Sequence, residues 1–197
     1  MFKQAQIVFL SVALALGMAA CRNSQGPAVV DQEKYLKLGD SLSRVSFDTL
    51  RNTLLARIST DGLTGAVRFC KVEASTLTKA YGTALQDISR TSLRFRNPEN
   101  KPDSLSELIL KAMQAVVDRG EKPVAQLVSG PGETIHYYKP ILVQSMCLNC
   151  HGSIPGQLKP EVAAVVDSLY PGDLARNYKE GDLRGAWHIR FTNVSGR

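Results

Sequence analysis

Two cysteines and a histidine in the second half of the chain limit what this sequence can be. Cys147 and Cys150 lie three positions apart, and His151 follows directly. This C-x-x-C-H pattern is typical of covalent attachment of a c-type haem (heme c), in which both thiols bond to the porphyrin vinyl groups. Because these bonds hold the macrocycle against a short segment, the adjacent imidazole is positioned to bind the iron. The motif therefore predicts one covalently attached haem, with His151 as an iron ligand.

Two other uses of closely spaced cysteines compete with the haem prediction. A C-x-x-C pair can be a redox-active dithiol of the thioredoxin type, or it can supply half of a structural zinc site. A zinc site needs a second pair of ligands at similar spacing, and the chain offers only the isolated Cys70, His136 and His188. The sequence therefore favours haem over both alternatives.

Residues 1–20 predict a lipoprotein signal peptide. Lys3 begins a short charged segment, and residues 7–20 form an apolar run that is shorter than a typical transmembrane helix. The run ends in small residues before Cys21 and resembles a lipobox, although Met18 stands where leucine is usual. We expect lipidation at Cys21 and attachment to the periplasmic side of a bacterial membrane, more readily the outer than the inner one. The alternative is ordinary cleavage, which would leave Cys21 as a free thiol.

The rest of the chain predicts one domain on a tether. Residues 21–30 are typical of a flexible linker, and residues 31–197 are long enough for a single core. The net charge of +6 comes from scattered lysines and arginines, so nucleic-acid binding is not supported. If Cys21 carries lipid and the motif thiols carry haem, Cys70 is left without a disulfide partner in an oxidising compartment.

Hydrophobic periodicity predicts an α+β fold, in which helices flank an antiparallel sheet. On the second predicted helix, Cys70 shares an apolar face with Val67, Ala74 and Leu77 and should point inward, a position that also suits a small buried hydrophobe. Ser104 to Glu107 is expected to form a capping box. The predicted helices are 31–60, 64–81 after a break at Asp61–Gly62, 104–120 and 161–169, and the predicted strands are 88–96, 124–129, 134–143 and 185–192.

The first predicted strand has a basic face formed by Arg90, Arg94 and Arg96. Haem propionates need cationic partners, so these arginines, Arg96 above all, are candidate cofactor contacts, with Tyr138 and Lys139 behind them. The alternative is a solvated strand face. Further candidates for a second iron ligand are His136, Met113 and Met146. His188 is expected on the solvent-exposed face of the last strand with Arg190.

On these residues, the chain resembles the Tll0287-like family of c-type haem-binding domains. The resemblance is carried by Cys70, by Ser92 to Pro102 with its Arg-Asn-Pro core, by Cys147 to Gly152 and by Gly181 to Ala186. It implies a PAS-like antiparallel sheet with flanking helices and a long N-terminal helix. It also implies iron held between the motif histidine and a cysteine thiolate, and Cys70 is the cysteine left for that position.

These expectations indicate an electron-transfer or redox-sensing protein. Two protein ligands would saturate the iron and leave no position open for a substrate. The alternative is a haem-based gas or redox sensor that signals to a separate partner protein. An enzyme such as a peroxidase would need a distal histidine and arginine pair, and neither His136 nor His188 lies in a recognisable distal motif. The expected partners are an unidentified redox or signalling protein and the membrane through the lipid.

Overall fold

A computed structural model describes residues 31–192 as helices around one four-stranded antiparallel sheet. The predictions for the signal peptide, for Cys21 and for the tether lie outside the described residues. The strand order is β1-β4-β3-β2, and the arrangement confirms the α+β class. The elements are α1 (Gln32–Lys79), β1 (Gln86–Thr91), a 3-10 turn (Pro98–Asn100), α2 (Ser104–Asp118), β2 (Gln126–Gly130), β3 (Thr134–Leu142), a second 3-10 turn (Ser145–Cys147), α3 (Leu148–His151), α4 (Pro160–Leu169) and β4 (Leu183–Phe191).

Helix α1 consists of two segments that meet at a kink. Gly62 has φ 68° and ψ −178°, a left-handed conformation that glycine adopts without a Cβ clash. The second segment folds back along the first, because Thr49 Oγ1 and Tyr81 OH lie 2.8 Å apart and the Arg57 guanidinium lies 4.8 Å from the Phe69 ring centre. The kink confirms the predicted break at Asp61–Gly62.

One face of the sheet packs against the first segment of α1. Tyr35 of the helix joins Ile88, Tyr137, Ile189 and Phe191 of the strands in one buried cluster. The helix comes close because Gly39 faces Tyr137, where a Cβ would lie 2.4 Å from the ring. The hydroxyl of Tyr137 donates a hydrogen bond to the Asp40 carboxylate at 2.6 Å, which fixes the helix over the centre of the sheet.

The opposite face of the sheet is covered by α2. Leu110 and Met113 of this helix pack against Tyr138 and Ala186. The predicted capping box is wrong by one residue, because Asp103 is the N-cap and its carboxylate accepts a 2.7 Å hydrogen bond from the Ser106 amide. An aspartate at this position satisfies a free amide of the first turn as well as a serine does.

Strand β1 is shorter than its alternating pattern predicts. It ends at Thr91, because Ser92 Oγ accepts a hydrogen bond from the Arg94 amide and donates one to the Arg184 carbonyl, which turns the chain away from the sheet. Arg94 and Arg96 therefore leave the strand, and the prediction of a single basic face formed with Arg90 is wrong. Strand β4 begins at Leu183, two residues before its predicted start at Gly185.

Candidate functional site

A cavity of about 210 Å³ lies between α1, the end of β1, the start of β4 and the C-x-x-C-H segment. The wall contributed by α1 is almost entirely apolar. Its residues are Leu50, Leu54, Ile58, Leu63, Ala66, Val67 and Ala74. Cys70 adds a thiol to the α1 wall. The remaining walls hold further sulfur and nitrogen donors and three guanidinium groups, from Met146, Cys147, Cys150, His151, Arg90, Arg96 and Arg184. The cavity is therefore apolar on one side and rich in cations and soft ligands on the other.

The motif forms a tight helical turn at the edge of this cavity. Cys147 ends the second 3-10 turn, and Cys150 lies in α3, so a spacing of three residues brings both thiols to the same side. The buried Leu148 holds the turn in place. Gly152 follows because a Cβ there would lie 2.6 Å from the Leu148 carbonyl oxygen.

His151 is held in one tautomer. Its Nδ1 lies 2.8 Å from the Ala175 carbonyl oxygen, which can only accept, so Nδ1 carries the proton and Nε2 carries the free lone pair. Burial, together with Arg184 and Arg96 nearby, lowers the pKa of His151 well below its ordinary value. The imidazole is therefore neutral and oriented, as a metal-ligating histidine is when its second nitrogen is hydrogen-bonded to a carbonyl.

Cys70 reaches the cavity from the second segment of α1. It lines the cavity beside Ala66, Val67 and Ala74, which confirms that this residue points inward. Burial raises the pKa of its thiol, and the nearby Arg90 and Arg96 guanidinium groups offset part of that rise. Cys70, Cys147 and Cys150 are all free thiols within the described residues.

Arg96 joins the motif to the segment that supports His151. Its guanidinium makes a two-point ion pair with Asp173, with Nε–Oδ1 at 3.1 Å and Nη2–Oδ2 at 3.0 Å. Nη2 also donates to the Cys150 carbonyl at 2.7 Å, and Asp173 Oδ1 accepts from the Ala175 amide at 2.9 Å. Although burial acts to raise it, the Arg96 bonds hold the pKa of Asp173 below its ordinary value. This bracing of the motif is a role that the sequence analysis did not predict, and a contact with propionates stays a prediction.

Arg90 and Arg184 are the other two cations of the cavity. The Arg90 Nε is buried and has no hydrogen-bond partner. The Arg184 Nη1 donates to Ser92 Oγ at 3.0 Å and to the Arg94 carbonyl at 3.2 Å. Within residues 31–192, neither guanidinium forms an ion pair. Burial and the charge of Arg184 lower the pKa of Arg90 to about 10, and burial lowers the pKa of Arg184 as well.

Arg184 is a site residue that the sequence patterns did not predict. It lies in the Gly181 to Ala186 segment that carries the family resemblance, and a basic residue within that segment was the signal that could have found it. Arg94, which was predicted as a cofactor contact, does not line the cavity. Its guanidinium lies 3.9 Å from the Tyr178 ring centre and donates to the Arg176 carbonyl.

Several other predicted site residues lie away from the cavity. The Lys139 Nζ is 2.9 Å from Asp40 Oδ1, and Tyr138 and Met113 are buried on the α2 side of the sheet. His136 is also on that side, where its Nδ1 lies 2.9 Å from His188 Nε2. Of the alternative iron ligands, Met146 lines the cavity.

His188 does not share the exposed environment of Arg190, so its predicted position on the solvent-exposed face is wrong. Its ring stacks on Tyr138 with the ring centres 4.4 Å apart. Burial and the neighbouring His136 lower the pKa of His188 to about 4. The reason is that α2 covers the middle of this sheet face and leaves only its edge to solvent.

Two further observations concern metals and membranes. Among residues 31–192, no group of three or more histidine, cysteine, aspartate or glutamate side chains is placed to hold a metal ion, so this part of the chain offers no ligand set for a closed zinc site. Over the same residues, no helix combines the length and the apolar character that a membrane span requires.

Comparisons with known proteins agree on one family. The family model described as Tll0287-like matches residues 11–192. No curated protein matches the chain. Among solved structures, the chain is similar to the cyanobacterial haem protein Tll0287, with a TM-score of 0.60 and 22% sequence identity over 83% of this chain and 97% of that one.

Proposed function

Because this chain belongs to the Tll0287-like family, we propose that it is a haem protein that attaches one haem c through Cys147 and Cys150. The observation that carries the proposal is that both motif thiols, His151 and Cys70 line one cavity. The description of its structural neighbour as a haem protein supports the proposal. We also propose that the sheet and its flanking helices form a PAS-like domain.

The residues of the cavity fit a haem in three respects. The apolar α1 wall suits the face of a porphyrin, since apolar walls with few polar groups are typical of cofactor sites. The paired thiols on one helical turn suit the vinyl groups. The buried Arg90 Nε lacks a partner and suits an anionic edge.

We propose His151 Nε2 and Cys70 Sγ as the two iron ligands. The bond from Nδ1 to the Ala175 carbonyl orients the imidazole and leaves Nε2 to bind. Burial keeps the Cys70 thiol protonated in the absence of a metal, so this residue must release its proton when it coordinates. When bound, a haem with two such ligands supplies one-electron redox chemistry. Ligands from α1 and α3 together leave no open position, which favours electron transfer or redox sensing over catalysis.

A haem-based sensor is the second candidate function. Cys70 lies on the α1 segment that follows the Gly62 kink, and Met146 offers another sulfur in the same cavity. A change of ligand at Cys70 would therefore move a segment that is joined to the rest of α1 at a single kink. The partner would be a separate signalling protein. Binding of carbon monoxide by the reduced protein would favour this candidate, and failure to bind it would favour electron transfer.

We propose that the domain is held at the periplasmic side of a bacterial membrane, more readily the outer one, by lipid on Cys21. The support is the apolar run that ends in small residues before this cysteine. The partner of electron transfer is a redox protein, and nucleic acid is not a partner.

Covalent attachment is the first property to test. Protein made together with a cytochrome c maturation system should keep its haem stain on a denaturing gel, because thioether bonds survive denaturation. Cys147→Ala with Cys150→Ala should lose the stain, whereas the control Cys70→Ala should keep it. A wild-type protein without a Soret band that binds zinc, or that cycles as a dithiol, would refute the proposal.

A further inference from the structure

Two of the guanidinium groups that line the cavity are mostly shielded from solvent. Arg90 and Arg184 form no ion pair within the described residues. Burial lowers the pKa of both groups, and the charge of Arg184 also lowers that of Arg90. A charge that is shielded from water and has no counter-charge is energetically unfavourable. Two such cations side by side therefore indicate an anionic ligand in this part of the cavity.

Arg96 does not share this property, although it lines the same cavity. Its Nε and Nη2 atoms are committed to Asp173 and to the Cys150 carbonyl. Arg184 uses Nη1 for Ser92 and the Arg94 carbonyl, and its guanidinium also contacts the Tyr178 side chain, 5.5 Å from the ring centre. No carboxylate pairs with it within residues 31–192. The Nε of Arg90 has no partner at all among these residues. Arg90 and Arg184 thus have donors to offer, whereas Arg96 is largely occupied.

The chemistry of the cavity identifies the class of anion. A guanidinium fork matches a carboxylate in two-point geometry, and two guanidinium groups match a ligand with two carboxylates. Haem carries two propionates on one edge of the ring and its vinyl groups on other edges. If Cys147 and Cys150 hold the vinyl groups, the propionate edge is directed away from the motif thiols.

We propose that Arg90 and Arg184 bind the two haem propionates inside the cavity, an inference that rests on the proposed haem. The carboxylate edge of the cofactor then faces the end of β1 and the start of β4 instead of solvent. Arg96, whose Nε and Nη2 are already paired, chiefly braces the motif. The two positive charges near the iron also favour its reduced state, because reduction removes one unit of positive charge from the iron.

The inference is tested on the haem-loaded protein with Arg90→Gln and Arg184→Gln. Each change should shift the propionate bending bands of the resonance Raman spectrum and lower the reduction potential. Arg90→Lys and Arg184→Lys should restore the potential in part, because the charge returns without the two-point geometry. Arg190→Gln is the matched control, since Arg190 lies on the same strand β4 but is exposed and 3.7 Å from Asp87. It should leave both readouts unchanged.

A second measurement uses the wild-type protein and does not depend on the folding of any variant. With isotope-labelled arginine, the reduced low-spin protein should show nuclear Overhauser contacts between the propionate methylene protons and both arginine side chains. Absence of these contacts would overturn the inference. A potential that changes in the variants while the propionate bands stay fixed would also overturn it, because the arginines would then act on Cys70 instead. A wild-type protein that carries no covalent haem would refute the proposed function itself, and this result is distinct from both of the others.

Discussion

Cys70 has the surroundings of a ligand that becomes charged only on binding. Its thiol faces the cavity, and burial raises its pKa while Arg90 and Arg96 act in the opposite direction. Those two guanidinium groups would stabilise a thiolate once the iron has displaced the proton. Burial therefore favours the neutral thiol of Cys70 in the absence of iron, and the neighbouring cations favour the thiolate that would bind iron.

Replacing Cys70 should change the redox properties without releasing the cofactor. Thiolate donates electron density and stabilises ferric iron, so Cys70→Ala should raise the reduction potential by on the order of 100 mV, within the range of about 0.8 V that axial ligands span. Potentiometry should record this rise, and electron paramagnetic resonance should record the loss of a low-spin thiolate signal. Val72→Ala, at an exposed position of the same helix, is the control. If the spectrum and the potential of Cys70→Ala match the wild type, Cys70 is a packed core residue and Met146 becomes the ligand to test.

At the scale of secondary structure, the paired histidines of β3 and β4 connect the sheet to α2. His136 and His188 share a 2.9 Å hydrogen bond, and His188 stacks on Tyr138, whose hydroxyl lies 3.0 Å from Ser106 Oγ of α2. Burial lowers the pKa of both histidines. The Asp103 carboxylate offsets part of this decrease, and the charge of Arg190 adds to it. The pair is therefore neutral in the folded protein at neutral pH.

Lowering the pH should decrease the free energy of unfolding, because it protonates this buried histidine pair. The pKa of His188 is about 4 in the folded protein against 6.5 ordinarily, so the unfolded chain binds the proton more readily between these values. The contribution of His188 to stability is then full above about pH 6.5 and is lost as pH falls toward about 4, by about 3 kcal/mol at most. Urea unfolding of the wild type should show part of this loss between pH 7.5 and pH 5, and His188→Gln should show a smaller dependence on pH. An equal dependence in both proteins would contradict the assignment.

At the scale of the whole molecule, the domain is expected to work at a membrane surface. Residues 21–30 would separate the lipid from α1, which begins at Gln32. The cavity lies against both segments of α1, so the element that would follow the proposed anchor is also the element that carries Cys70. An anchored domain of this kind would meet redox partners by diffusion along the same surface.

Lipidation can be tested by fractionation. Wild-type protein should sediment with bacterial membranes, because the several acyl chains of a lipoprotein anchor it far more firmly than a single chain. Cys21→Ser should move to the soluble fraction or remain as the unprocessed precursor. Cys70→Ala is the control for loss of a cysteine and should stay with the membranes. A soluble wild-type protein whose N-terminus is a residue other than Cys21 would contradict the prediction.

Local patterns in the sequence predicted most of the elements correctly. The break at Gly62, the helix that ends at Leu169 and the hairpin of β2 and β3 all follow from features that a few neighbouring residues define: glycine conformation, helical periodicity and alternation. The inward direction of Cys70 follows from the same helical spacing. Such features depend on contacts between residues that are close together in the sequence, so the sequence alone is enough to predict them.

The composition of the cavity depended instead on which distant segments meet. Ser92 and Arg184 are 92 positions apart, and they become neighbours because β1 pairs with β4 in a register that sets Thr91 opposite Ala186. The same packing moves Arg94 and Arg96 off the strand and covers His188 with α2. Neither hydrophobic alternation nor composition predicts these positions, because they depend on the strand order and on burial between the sheet and its helices. In those layers, hydrogen bonds and charges must be satisfied by residues that are far away in the sequence.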